Sequence, residues 1–302
     1  MSTDTAGDVI DRLLRDYLAP PSDRPTVVPL ATGVNDSIQT IVHSTGYLTV
    51  EEQDLLDAGS IIELGTELIL VGSYDGTDTF SSCTRGYLGT TAATHTAGDI
   101  ITIQPKWTRA RLLDAVSDAI VGLYPTLKVK KTVNYDSADG YIEVAADVES
   151  VFHYRYADRE DASSGLRYVD GGVEFLDDFP PASTNLKAIQ LHGVPTGRTG
   201  YLTYFARFPR PSAESYDLSD NGLRDEWVEL VVFGALMRIT ATEDLDQATQ
   251  QMITDALEAQ GFPPGAGEDL SRSLVRFYEY LLNQARLNFR EEAPMTVEML
   301  RP

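Results

Sequence analysis

The spacing of apolar residues changes period four times along the chain, and that order constrains the fold more than any single motif. From Asp8 to Leu18, the residues Val9, Ile10, Leu13, Leu14, Tyr17 and Leu18 form one helical stripe, which Pro20-Pro21 ends. Between residues 25 and 105 the period shortens. Apolar runs at Ser37–Val42, Ser60–Leu64, Glu67–Ser73, Thr79–Thr84 and Asp99–Gln104 alternate with turn residues. Asp75-Gly76 marks a hairpin turn, and the stretch around Gly65 marks a second. Thr108 to Tyr124 is helical again, with Leu112, Leu113, Val116, Ala119, Ile120 and Leu123 on one stripe, Thr108 as N-cap and Trp107 packing on Leu112. Residues 129–210 return to strands, seven by pattern, with turns expected at Ala138-Asp139-Gly140 and Asp170-Gly171-Gly172. Three helices close the chain, over Leu223–Ala241, Leu245–Gln260 and Glu268–Arg290, with Gly261 and Pro263-Pro264 between the last two.

Isolated helices of this length are marginal in water, and none before residue 220 can bury its stripe alone. The economical solution is one bundle. The expected fold is therefore α+β. A helical core (residues 1–20, 106–128 and 219–290) carries two inserted all-β domains, with an extended tail at 291–302. One insertion is a small β-barrel-like domain at 25–105, and the other is a β-sandwich at 129–212.

Composition excludes several classes. Hydrophobic residues make up 42% of the 302, too many for a disordered chain. No apolar run approaches the ~20 residues of a membrane helix, and the polar start Met1-Ser2-Thr3-Asp4 does not read as a secretory signal. The single cysteine, Cys83, excludes an intramolecular disulfide and a cysteine-built zinc site. A net charge of −22 argues against wrapping nucleic acid. The one dense basic run, Lys128-Val129-Lys130-Lys131, reads as a favourable charge at a helix end.

Nothing reads as catalytic or as a metal or cofactor site. His43, His95, His153 and His192 have no metal-ligand spacing, and no nucleophile elbow, phosphate loop or dinucleotide fingerprint occurs. The acidic groups at Asp158–Asp161 and Asp177-Asp178 lack a calcium-loop pattern and read as solvated loops. Phe152, Tyr154 and Tyr156 alternate along one strand, and Tyr201, Tyr204 and Phe205 lie on another. Such residues are ordinarily cross-strand pairs, and the alternative is a stacking platform for sugar. The helix around Trp227 is apolar on every side, so either the β domains or a neighbouring subunit must cover it. The second option makes Trp227, Val231, Phe233 and Met237 a subunit interface.

The stretch Arg85-Gly86-Tyr87-Leu88-Gly89-Thr90, followed by small residues and His95-Thr96-Ala97-Gly98-Asp99, carries the most specific signal. Read from its residues it is a structured loop, in which Gly86, Gly89 and Gly98 supply unusual backbone angles while Arg85, His95 and Asp99 hydrogen-bond backbone groups. The sharper alternative is a ligand site built on His95 and Asp99. The loop resembles one that recurs in structural proteins of tailed bacteriophages. Together with the Trp107–Pro125 helix and the segment Glu229-Leu230-Val231-Val232-Phe233-Gly234-Ala235-Leu236-Met237-Arg238, it makes the chain resemble the head-to-tail adaptor (connector) proteins of those phages.

That resemblance implies a structural virion protein at the neck between capsid and tail, forming a homo-oligomeric ring of about twelve copies below the portal protein. It implies tail-side stopper or tail proteins as further partners, and DNA that slides through the lumen unbound. The tail 291–302 would dock on the portal through Met295, Val297, Met299 and Leu300, with Arg301 meeting a carboxylate. Residues 129–212 depart from the mostly helical minimal adaptor. The alternatives are a phage tail or surface protein that binds host glycan through this β domain, and a virion-associated hydrolase.

Overall fold

The computed structural model describes residues 4–19, 25–54, 56–136, 141–144, 148–161, 165–176, 187–195, 199–242, 245–259 and 270–292. Among them are six α-helices and three antiparallel sheets, none closed into a barrel. The chain divides into two compact units. One holds Met1–Ala119, Pro211–Asp217 and Val228–Leu281, and the other holds Ile120–Arg210, Leu218–Trp227 and Leu282–Pro302.

In the first unit, α1 (Ala6–Leu13) starts two residues earlier than its stripe predicts, because Thr5 and Asp8 form a reciprocal capping box. The helix runs on as a π-helical turn, Leu14–Leu18, and together they bury Val9, Ile10, Leu13, Tyr17 and Leu18. The segment around residue 215 supplies carbonyls to the first-turn amides: Ala6 N–H donates to Tyr216 O (3.0 Å) and Gly7 N–H to Glu214 O (2.9 Å).

The strands of this unit form two sheets over one core. β1 (Thr26–Pro29), β3 (Ile61–Leu64), β4 (Glu67–Leu70) and β7 (Ile100–Ile103) pair in the order β1-β7-β3-β4. β2 (Ile41–Val42), β5 (Ser73–Tyr74) and β6 (Thr79–Ser81) pair as β2-β6-β5. Val28, Ile41, Ile62, Leu64, Ile69, Phe80 and Ile101 draw on both sheets and share one core. The barrel-like expectation is corrected: the strands fall into two sheets, β1-β7-β3-β4 and β2-β6-β5, neither closed into a barrel. Both expected hairpin turns form, with φ of +57° at Gly65 and +82° at Gly76. The short helix α2 (Val50–Asp54) has no apolar stripe and is marked only by Thr49 and Glu52, which cap each other.

The remaining helices are α3 (Arg109–Val121), α4 (Val228–Thr242), α5 (Gln247–Ala259) and α6 (Leu270–Glu292). α4 is the apolar helix of the sequence. Leu230, Val231, Val232, Phe233, Gly234, Ala235 and Leu236 are all buried. Phe233 meets Tyr17 edge-on at 5.7 Å and Phe277 of α6 at 4.5 Å. Gly234 lies where helices pass closely: a methyl group added there would sit 3.1 Å from Cβ of Ala119 and 3.1 Å from the Tyr278 ring. α5 packs on the π-helical turn.

The second unit holds one six-stranded antiparallel sheet. Its strands are β8 (Val129–Asp136), β9 (Tyr141–Val144), β10 (Val148–Asp161), β11 (Gly165–Leu176), β12 (Lys187–His192) and β13 (Thr199–Ala206), in the order β8-β13-β10-β11-β12-β9. A sandwich of two separate sheets is therefore corrected to one continuous sheet. The join is β11, whose first half pairs with β10 and whose second half pairs with β12. The expected turn at Asp170-Gly171-Gly172 is the middle of this strand. The glycines serve close approach rather than reversal: a Cβ at Gly171 would meet Val194 at 2.5 Å and the Tyr154 ring at 3.3 Å. Gly200 does the same, since its Cβ would lie 2.4 Å from Tyr154 Cζ. Tyr154, Ile189, Leu191, Leu202 and Tyr204 belong to one core drawn from both halves of the sheet. The expected turn at 138–140 and the helix stop at 261–264 lie outside the described residues.

Candidate functional site

The Arg85–Asp99 loop is built around a carboxylate that its own sequence does not contain. Glu67 opens β4, and its side chain is 1% exposed. Arg85 donates to it twice, Nε to Oε1 at 2.6 Å and Nη2 to Oε2 at 2.8 Å, the bidentate geometry that suits guanidinium and carboxylate. The N–H groups of Gly86 and Ala93 add bonds of 3.1 Å each. His95 adds Nε2 to Oε2 at 3.0 Å. Burial works against ionisation of Glu67, but Arg85, the Ala93 amide, His95 and the Gly86 amide outweigh it and hold the carboxyl down at about 2. With that carboxylate ionised and unable to donate, the His95 bond requires a proton on Nε2.

The rest of the loop follows from this pin. The remaining donors of Arg85 reach the carbonyls of Asn35 (2.6 Å), Ile38 (3.0 Å) and Ala93 (2.6 Å). Thr90 Oγ1 accepts from Leu68 N–H at 3.0 Å and donates to Tyr87 O at 2.9 Å, tying the loop to β4. The backbone of His95 pairs with Val34 in both directions. Gly86 has φ of +63°, and a Cβ there would lie 2.7 Å from Thr90 O, so only glycine fits. Gly89 and Gly98 also have positive φ. Leu88 adopts φ of +53° while 70% exposed, which makes it the strained, apolar tip of the loop.

The expectation of a structured loop is met, with one correction: the side chains of Arg85 and His95 converge on Glu67, and only Arg85 also reaches backbone carbonyls. Asp99 folds back on Thr96, accepting from its N–H at 2.8 Å and its hydroxyl at 3.0 Å. The His95–Asp99 pairing of the sharper alternative is not a hydrogen bond, at 3.8 Å.

The loop borders an open cleft of about 430 Å³ whose other wall includes Thr102 and Arg109. Arg109 is held by two carboxylates: it donates to both oxygens of Glu214 and to Asp11, each at 2.7 Å, joining α3 to α1 and to the segment around residue 214. Glu63, on β3 and 2% exposed, accepts from the first amide of α3, Arg109 N–H. Burial pushes its carboxyl up to about 7, and the charge of Glu214 adds to this, against the first-turn amides of α3 and the Arg109 charge. Two further ion pairs brace the helices, Arg12 with Glu229 and Lys106 with Asp246.

Glu63 and Glu67 are the residues that sequence reading missed. Their signal was an acid on each side of Gly65 within otherwise apolar strands, because a buried carboxylate needs partners. What the assembled groups do chemically is hold a loop and a helix start in fixed positions.

Three of the four residues offered as a subunit interface are engaged elsewhere. Trp227, Val231 and Phe233 are at most 1% exposed within the single chain, so their surface is not available to a neighbour, and Met237 is half-buried. The six aromatics of the sugar platform divide: Tyr154, Tyr156 and Tyr204 are buried, Phe152 and Phe205 are half-buried, and only Tyr201 is exposed. The portal-docking residues Met295, Val297, Met299, Leu300 and Arg301 lie outside the described residues. Among the described residues, no group of three or more His, Cys, Asp or Glu side chains is placed to hold a metal, and no helix is long and apolar enough to cross a membrane. No protein-family model matches the chain, and no curated protein does.

Proposed function

We propose that this chain is a head-to-tail adaptor of a tailed phage, a structural subunit that forms a ring of about twelve copies between portal and tail. In this reading the helices are the adaptor core and the sheets are carried as insertions between them. One observation supports it most. The two helical segments that carry the family resemblance are more than a hundred residues apart, yet they meet at Ala119 and Gly234, where a Cβ on the glycine would lie 3.1 Å from that of the alanine. The pinned loop fits the same reading, as a rigid and strained surface element with an apolar tip at Leu88.

Because the apolar faces of α4 are covered within the chain, ring contacts fall to other surfaces. Tyr280 and Leu287 lie one heptad apart on α6 and are 56% and 55% exposed. They are the proposed contact with the neighbouring copy, alongside docking of 291–302 on the portal. A net charge of −22 per copy would line the lumen with like charge and let DNA slide.

The test is the particle mass of the chain mixed with the portal ring from the same genome. A shift of about one copy per portal subunit, lost on deleting 291–302, is the expected result. An intact portal ring with no shift in mass overturns the reading.

A further inference from the structure

The second unit contains a pocket that the ring reading does not use. It is an open cleft of about 470 Å³, within the range of specific ligand sites. Phe205 and Phe289 line it as an edge-on aromatic pair, ring centres 5.9 Å apart. Thr126 and Ser150 bring hydroxyls, and Lys128 and Arg286 bring two positive charges.

Those charges are unusual in this chain. Acids outnumber bases 46 to 24, yet neither Lys128 nor Arg286 has a carboxylate partner among the described residues. The Lys128 ammonium instead faces the Tyr124 ring, 5.8 Å from its centre. Glu149, the chain neighbour of Ser150, is engaged by the Tyr124 hydroxyl (2.9 Å) and by Arg207 (2.5 Å). Lys130 lies 5.1 Å over Phe152, whose ring in turn meets Phe205 edge-on. Three of the five lysines of the chain fall at 128–131, and of these Lys128 lines the pocket while Lys130 lies over Phe152.

We propose that this pocket binds a short acidic peptide segment of another protein. Carboxylates meet Lys128 and Arg286, and an apolar side chain rests on Phe205 and Phe289. Two cations and an aromatic floor suit a few residues of peptide. A long polyanion needs a continuous basic track, and the charge of −22 would repel it. The pocket would act in this way whether or not the chain builds a ring.

The probe is a fluorescein-labelled hexapeptide with two glutamates flanking a phenylalanine, titrated into the full chain by anisotropy. Its glutamine counterpart and a single-stranded oligonucleotide serve as comparisons. We expect the acidic peptide to bind, the glutamine peptide to bind at least tenfold more weakly, and added salt to weaken binding. Lys128→Glu and Arg286→Glu should each weaken it at least tenfold, with unchanged circular dichroism. Arg286 is exposed on α6, so its variant keeps the test valid should Lys128→Glu misfold. No binding of the acidic peptide, or binding that both folded variants retain, overturns the proposal. So does an oligonucleotide that binds more tightly than the peptide and loses binding in the same variants.

Discussion

Replacing Glu67 with Gln keeps the shape of the side chain and removes the charge at the centre of the loop. The structure gives two routes to the size of the effect. Arg85 is 5% exposed and would be left as a buried cation without its partner, a change that costs about 3–5 kcal/mol in comparable sites. The Glu67 carboxyl is also held at about 2 against an ordinary 4.5. At roughly 1.4 kcal/mol per pH unit, that is worth about 3 kcal/mol. The sign follows from the direction: a depressed carboxyl contributes fully above its unfolded value and loses that contribution as pH falls from about 4.5 towards 2. Glu67→Gln should therefore cost about 3 kcal/mol at pH 7 and roughly half of that or less at pH 3. Urea unfolding of the first unit can be followed through Trp107 fluorescence in a Trp227→Phe background, with hydrogen exchange of residues 85–99 as the local reading. A double variant with Arg85→Met should recover much of the loss, since both charges leave together. A cost below about 1 kcal/mol at pH 7, or one that stays the same down to pH 3, refutes the carboxylate as the pin of the loop.

Three other substitutions test separate parts of the fold. The Glu63 carboxyl is raised to about 7, so its contribution is present at low pH and is lost as pH rises from about 4.5 to 7; wild-type stability should fall by up to about 3 kcal/mol over that window relative to Glu63→Gln, read from parallel denaturation curves. Gly234→Val forces branched carbons against Ala119 and Tyr278 and should cost about 2–3 kcal/mol despite valine's better helix propensity; a thermal melt at or above wild type contradicts the close crossing. Gly200→Ala places a Cβ 2.4 Å from Tyr154 Cζ and 2.6 Å from Arg155 O, so it should cost about 3 kcal/mol or more and weaken the near-ultraviolet tyrosine signal; an unshifted melt removes the tyrosine from its place over the glycine.

Local signals were legible wherever a segment's structure depends on that segment. The helices expected over 8–18, 108–124, 245–260 and 268–290 each correspond to a described helix, because helical patterning is a property of a few consecutive turns. The hairpins at Gly65 and Gly76 follow from glycine's access to positive φ. The same local logic misplaced Asp170-Gly171-Gly172. A glycine pair in a strand pattern can mark a reversal or a close approach, and only the Tyr154 ring and Val194, from distant parts of the chain, select the second.

The other departures have the same cause. α4 reads as a helix apolar on all sides, and what covers it cannot be told from its period. The answer is Tyr17, Ala119, Phe277 and Tyr278, contributed by three helices distant in sequence. Whether strands close into a barrel, form two sheets or continue through one is likewise decided by pairing between segments, here by β11 changing partners midway. At the loop, sequence shows the cation, the imidazole and the glycines but not their centre, since Glu67 lies 18 residues before Arg85 and 28 before His95. A loop rich in hydrogen-bonding side chains therefore invites a search for a ligand, when the group those side chains hold is a carboxylate of the preceding hairpin. The charge it buries is compensated within the unit, and Leu88 is left exposed at the strained tip of the loop.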